Sequence, residues 1–225
     1  MRSNEIEARK RLLKLSKKQR SIIVGTLLGD SHLETQNGGK TYRLKVEHSI
    51  KQADYVDWLY QQFQEWVLTP PHAKPKQLKG VRHENYCFQT LSVGQLRFYG
   101  RNFYDQTGHK YVSRQIRRWL TPLALAIWFM DDGSAKSKHH RAVILNTQGF
   151  SRKDISFLQE ALFVNFQIEA LPRKQKEGLQ LLIVGQSAEQ FYKIVQPYML
   201  PGFEYKFGAL VNTLPKEYRR RSKVS

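Results

Sequence analysis

The sequence predicts an α+β protein made of two pseudo-symmetric αββαββα repeats with antiparallel sheets. Three observations carry that prediction. A nearly uncharged helical stretch ending in aspartate occurs twice, as Ile22–Gly29 before Asp30 and as Leu123–Met130 before Asp131 and Asp132. Each stretch leads into a β-type alternation. Each alternation leads into an amphipathic helix and then a hairpin pattern.

Taken in order, residues 1–16 read as a basic N-terminal extension, 17–118 as the first repeat, 119–212 as the second and 213–225 as a basic tail. In the first repeat, Tyr42 to His48 alternates as a strand, and Ala53, Val56, Leu59, Tyr60, Phe63 and Val67 recur at helical spacing. Arg82 to Leu91 reads as hairpin and Val93 to Phe103 as a short closing helix. In the second, Arg141 to Thr147 is rich in β-formers, followed by Ile155, Leu158, Leu162 and Phe166 on one helical face. Ser151 is the expected N-cap of that helix, with Asp154 in its first turn. A hairpin from Ala170 to Val184, turning near Glu177-Gly178, and a helix from Ser187 to Val195 complete the repeat.

Gly25 and Gly29 stand one helical turn apart on one face. Glycine inside a helix costs about 0.5–1 kcal/mol relative to alanine, so the pair calls for a closely approaching neighbour. An apolar helix seeks burial on most faces. Packing the two apolar helices side by side meets both demands and would bring Asp30 and Asp132 to the same end.

The charge balance narrows the partner. Lys and Arg number 37 against 19 Asp and Glu, a net +18 over 225 residues, while 40% of residues are hydrophobic. That composition excludes a disordered basic tail, so the excess charge belongs to a folded surface seeking an anion, with nucleic acid ahead of a membrane. The lone cysteine, Cys87, excludes a disulfide framework and any cysteine-built zinc site, and reads as a buried or half-buried thiol. No stretch has the apolar core of a signal peptide or the roughly 20 apolar residues of a membrane span. A soluble protein of a reducing compartment is the expectation.

A carboxylate at a helix C-terminus meets the unfavourable end of the dipole, at about 0.3–1 kcal/mol. Two carboxylates brought close repel each other further, and one tends to take up a proton. Each aspartate alone is explained by capping its following loop. For the pair at matched places, a divalent cation removes both objections, and carboxylates, helix-end carbonyls and water are the ligands Mg²⁺ prefers. No histidine pair stands at H-E-x-x-H spacing.

Ile23-Val24-Gly25-Thr26-Leu27-Leu28-Gly29-Asp30-Ser31 and Leu125-Ala126-Ile127-Trp128-Phe129-Met130-Asp131-Asp132-Gly133 resemble the two motifs of the LAGLIDADG homing endonucleases. The likeness is to the single-chain, two-repeat meganucleases of that family. It extends to Trp66–His72, Leu120-Thr121-Pro122, Leu145–Gln148 and Tyr205-Lys206, covering about residues 17–212. The resemblance implies that Asp30 and Asp132 bind the catalytic metal, Mg²⁺ with Mn²⁺ as a substitute. It also implies one basic residue per repeat near the scissile phosphates. Lys110 and Lys206 match those places, with His109 the competitor of Lys110. Ile127 and Asp131 stand where the family favours small residues, which predicts looser, less symmetric helix packing.

Strand alternation places Arg43, Lys45 and Glu47 on one face, and His83, Asn85 and Gln89 together in the first hairpin. Arg173 and Gln175 are their counterparts in the second, with Lys174 and Lys176 on the alternate face. Such faces suit a β-ribbon reading purine edges in the major groove. Arg114, Arg117 and Arg118, and the terminal run Arg219-Arg220-Arg221, read as phosphate contacts that set register without reading sequence. The expected protein is a monomeric, metal-dependent double-strand DNA endonuclease of an intron- or intein-borne element, in an organelle or bacterial cytoplasm. An RNA maturase assisting intron splicing, and a non-cleaving DNA-binding regulator, are the alternatives on the same fold.

Overall fold

A computed structural model describes residues 3–78, 81–137 and 139–213. The Arg219–Arg221 run lies outside the described residues, as does almost all of the expected tail. The chain divides into two compact units. One comprises the N-terminal residues through Arg20 with Asp30–Arg101, the other Ser21–Gly29 with the chain from Asn102 on.

The N-terminal extension holds helix α1, Ser3–Leu12, none of whose residues is buried. It is nevertheless anchored. Arg9 donates to the carbonyls of Glu65, Gln64 and Val67, and Gln95 donates to that of Leu13 at 2.9 Å. Helix α2, Lys17–Leu28, starts with Ser16 and Gln19 bonding to each other's main-chain N–H, a reciprocal cap that satisfies two orphan donors.

The first sheet has strand order β1-β2-β4-β3, with β1 His32–Glu34, β2 Arg43–Ser49, β3 His72–Leu78 and β4 Val81–Gln89, all antiparallel. Leu44, Val46 and Phe88 point into its core. Helix α3, Ala53–Phe63, adds Tyr55, Val56, Leu59 and Phe63 to the same core, as its apolar spacing requires. Helix α4, Arg97–Phe103, closes the repeat. Strand β3 escapes sequence reading because Lys74, Pro75, Lys76 and Gln77 show no apolar alternation. Its place at the sheet edge explains the tolerated proline, which has no N–H to pair.

After the short helix α5, Ile116–Trp119, the same order returns: α6 Pro122–Asp132, β5 Gly133–Ala135, β6 Ala142–Leu145, α7 Arg152–Phe166, β7 Leu171–Gln175, β8 Gly178–Val184 and α8 Gly185–Val195. The second sheet repeats the topology as β5-β6-β8-β7. Thr121 caps α6, accepting from the Ala124 N–H at 3.1 Å, and Pro122 suits the first turn because its missing N–H would be an orphan anyway. Ser151 and Asp154 form a full capping box on α7, as the sequence predicts. Both repeats thus run αββαββα, in antiparallel four-stranded sheets. No helix among the described residues is long and apolar enough to cross a membrane.

Candidate active site and nucleic-acid face

Helices α2 and α6 cross within the second unit, and the two glycines make the crossing possible. A Cβ added at Gly25 would lie 2.5 Å from the Ala124 carbonyl oxygen and 2.6 Å from the Ile127 Cβ. One added at Gly29 would run into the Asp131 side chain, 2.5 Å from its Oδ2. The packing is therefore close, where the large residues of the second motif had predicted looseness. Ile127 and Asp131 fill the space that Gly25 and Gly29 vacate. The asymmetry is real, but it lies in which helix yields volume.

Two lysines cap the C-terminal ends of these helices at equivalent positions. Lys110 Nζ donates to the Gly29 carbonyl at 2.9 Å. Lys206, 7% exposed, donates to the carbonyls of Asp131 at 3.1 Å and Gly133 at 2.9 Å. Gly29 directly precedes Asp30 as Asp131 directly precedes Asp132, so each lysine grips the peptide that aims one motif aspartate. A cation there complements the helix dipole and offsets the unfavourable siting of the carboxylate. His109 is engaged elsewhere, its Nδ1 lying 2.7 Å from Thr107 Oγ1 in a turn organised by Asp105.

In the first unit, Asp30 is half-exposed, and its Oδ2 lies 3.6 Å from Nδ1 of His48, whose side chain is buried. His48 continues the inward face of β2 beyond Leu44 and Val46 and packs its ring on Tyr55 at 5.1 Å. Its role is hidden in the sequence, because a histidine on an apolar face reads as core. In the second unit, the main chain of Asp132 accepts the Asn146 N–H at 2.9 Å while its side chain is partly exposed, and Asp131 is the more buried of the two acids. A half-exposed carboxylate beside helix-end carbonyls is a donor set that suits a hard divalent cation.

The open face of the first sheet follows from its register. Glu34 pairs with Arg43, His32 with Lys45, Lys45 with Gln89, Lys74 with Asn85 and Lys76 with His83, so these side chains share one surface. Sequence reasoning missed Lys74 and Lys76 together with strand β3. It also missed what the acids do. Glu34 accepts from Arg43 Nη2 at 2.7 Å and Nε at 3.0 Å, and from Lys45 Nζ at 2.7 Å. Partial burial pushes its carboxyl upward, but the hydrogen bonds from Lys45 and Arg43 outweigh this and hold it down at about 2. Glu47 accepts from Asn85 at 2.7 Å and pairs with Lys74 at 3.3 Å. The Asn85 hydrogen bond is the main reason its carboxyl is also lowered, against a smaller upward push from burial. Cys87, half-buried, belongs to this face, 3.8 Å from His72 Nε2.

The second sheet presents a different chemistry. Arg173 pairs with Gln180 and Gln175 with Gly178, on the face opposite the buried Leu181 and Ile183. Gln180 donates to Asn146 at 2.7 Å. Among the connecting arginines, Arg114 lines one cleft with Lys110 and Lys153 at the start of α7. Arg117 pairs with Glu160 at 3.3 Å, and Arg118 is exposed.

A family model for the LAGLIDADG DNA endonuclease family matches residues 20–191. The chain is 27% identical over 198 residues to a "probable intron-encoded endonuclease 1" of Wickerhamomyces canadensis, covering 85% of this chain and 84% of that one. It is 28% identical over 200 residues to the cytochrome b mRNA maturase bI2 of Saccharomyces cerevisiae, covering 84% of this chain but 47% of that protein. The solved structure of the homing endonuclease I-WcaI bound to its DNA recognition sequence superposes with a TM-score of 0.85 at 25% identity, covering 91% and 92% of the two chains. Two acid-ended helices crossing on paired glycines, each followed by a four-stranded antiparallel sheet, agree with that match: the chain belongs to the LAGLIDADG DNA endonuclease family, as a homing endonuclease with both repeats in one polypeptide.

Proposed function

We propose that the chain cuts both strands of a long asymmetric DNA site, with Asp30 and Asp132 as its metal ligands and Lys110 and Lys206 as catalytic residues that stabilise charge. The equivalent lysine caps on the peptides preceding the two aspartates carry this reading. Helix capping accounts for each lysine singly, and their recurrence beside both motif aspartates is what supports matched chemistry at the two places.

Asp30 and Asp132 would hold divalent cations, Mg²⁺ first, because the donors are carboxylate and main-chain oxygen. Bound there, the ion supplies Lewis acidity at the scissile phosphate. The same oxygen donors suit Mn²⁺ as a substitute, and His48 stands beside Asp30 with its Nδ1 3.6 Å from the carboxylate. Lys110 and Lys206 hold the two carboxylate-bearing peptides in place and put a positive charge where negative charge develops on the phosphate. The first sheet, with Arg43, Lys45, His83, Asn85 and Gln89, and the second, with Arg173 and Gln175, read base edges in the major groove. Their unlike surfaces suit an asymmetric target. Arg114 and Arg117 contact phosphates.

Double-stranded DNA is the partner, supported by the DNA-bound relative, and a monomer suffices because one chain carries both repeats. A second reading is favoured by the maturase relative: the same basic surfaces would also bind the host intron RNA.

A supercoiled plasmid carrying candidate intron-insertion sites tests the main reading. Linearisation with Mg²⁺, binding without cutting in Ca²⁺, and loss of cutting in Asp30→Asn and Asp132→Asn are expected. Binding of the site with no linearisation in Mg²⁺ would overturn the nuclease reading. Cleavage surviving in both variants would overturn the site assignment.

A further inference from the structure

Glu34 sits on a surface where an acid is unwelcome. The chain carries a net +18, and on the reading above the open face of the first sheet meets polyanionic DNA. An acid there repels phosphate, yet both oxygens of Glu34 are committed to the face's own cations. Its Oε2 takes Arg43 through Nε and Nη2, and its Oε1 takes Lys45. His32 Nε2 lies a further 3.4 Å from Oε1. The same arrangement recurs on the neighbouring strands, where Glu47 holds Asn85 and Lys74. Two carboxylates therefore bind most of the donors that would otherwise be available to phosphate.

An unrestrained arginine or lysine neutralises a phosphate whatever the sequence, and each such contact adds affinity without discrimination. A cation already paired with a carboxylate gains little from a phosphate, because the anion must displace one carboxylate while being repelled by it. A base edge in the major groove differs. It offers acceptors, such as guanine O6 and N7, beside donors, such as the N4 amine of cytosine or N6 amine of adenine. A cluster holding guanidinium and ammonium donors around a carboxylate acceptor matches such a mixed edge and no phosphate.

We propose that Glu34 is a specificity-determining residue, keeping Arg43 and Lys45 off the phosphates and presenting them with its own carboxylate as one mixed donor–acceptor reader of base edges. The inference rests on the DNA-endonuclease reading of this face.

Binding to a mixed-sequence duplex, followed by fluorescence anisotropy across a KCl series in Ca²⁺, tests it for wild type, Glu34→Gln and the charge control Glu84→Gln. Glu84 is exposed on β4 but paired opposite Pro75, on the other face. Glu34→Gln should bind the non-specific duplex about tenfold tighter, with a log–log salt slope steeper by about 1–2, as one or two freed cations reach phosphates. Selection from a randomised duplex pool should return fewer constrained positions for Glu34→Gln than for wild type. A slope and affinity no different from those of Glu84→Gln, or an unchanged selected consensus, would overturn the role of Glu34 while leaving the endonuclease reading intact. A wild-type protein that binds no duplex at all would remove the reading on which the inference rests.

Discussion

Lys110 reaches across the second unit to the carbonyl of Gly29, at 2.9 Å, and so holds the peptide that leads into Asp30. Lys206 does the same for the peptide leading into Asp132, through the Asp131 carbonyl. Lys206 is buried and Lys110 half-buried at these helix ends, so neither is a freely solvated surface cation.

Removing either ammonium should therefore slow cutting without loosening DNA binding. Lys110→Met and Lys206→Met are each expected to lower the single-turnover cleavage rate about 100-fold or more, with site affinity in Ca²⁺ changed by less than about threefold. His109→Ala, in the turn beside Lys110, should cut nearly normally. A slow His109→Ala with a normal Lys110→Met would reverse the assignment.

The α2–α6 crossing has no room for a methyl group. Gly25→Ala meets the main-chain oxygen of Ala124, and Gly29→Ala meets the Asp131 side chain. Each should cost about 1–3 kcal/mol of stability, lowering Tm by roughly 2–12 °C for a chain of this size. Gly149→Ala, with nothing within 4 Å of the added carbon, should leave Tm nearly unchanged. Thermal denaturation of the three variants side by side decides the matter.

His48 acts on Asp30 from the protein side. With its ring 3.6 Å from the carboxylate, it limits the directions in which that carboxylate can point. His48→Asn should reduce cleavage more than about tenfold and alter the ratio of Mn²⁺- to Mg²⁺-supported rates, with binding in Ca²⁺ retained. Equal rates for the variant and wild type in both ions would show that His48 is only core.

The Glu34 cluster has a defined acid limit. Its carboxyl is depressed from an ordinary 4.5 to about 2 by Lys45 and Arg43, against the upward push of partial burial. A depressed folded value means the cluster stabilises the fold fully above about 4.5, and that contribution is lost as pH falls through about 2. The stability difference between wild type and Glu34→Gln, from urea midpoints, should be flat from pH 7 to about 5. It should shrink steadily below that and vanish near pH 2.

Much of this was legible in the sequence because it depends on local periodicity. The uncharged helices, the Ser151–Asp154 cap, the alternation of β2 and the hairpin of β7 and β8 all follow from side-chain spacing and capping chemistry, which need no distant partner. Strand β3 was not legible, since an edge strand with one face open to solvent can be built from Lys74, Pro75 and Lys76 without any apolar pattern. The tertiary structure alone decided the pairings between residues remote in sequence. Gly29 lies against Asp131, Lys110 takes the Gly29 carbonyl, His48 stands by Asp30, and Glu34 takes up both Arg43 and Lys45. It also decided that the first motif helix packs in one compact unit with the second repeat rather than with its own. Local sequence determines what each segment can become. Which carbonyl a lysine caps, and which cation an acid holds, depends on strand register and on the volume that two glycines leave open at a helix crossing.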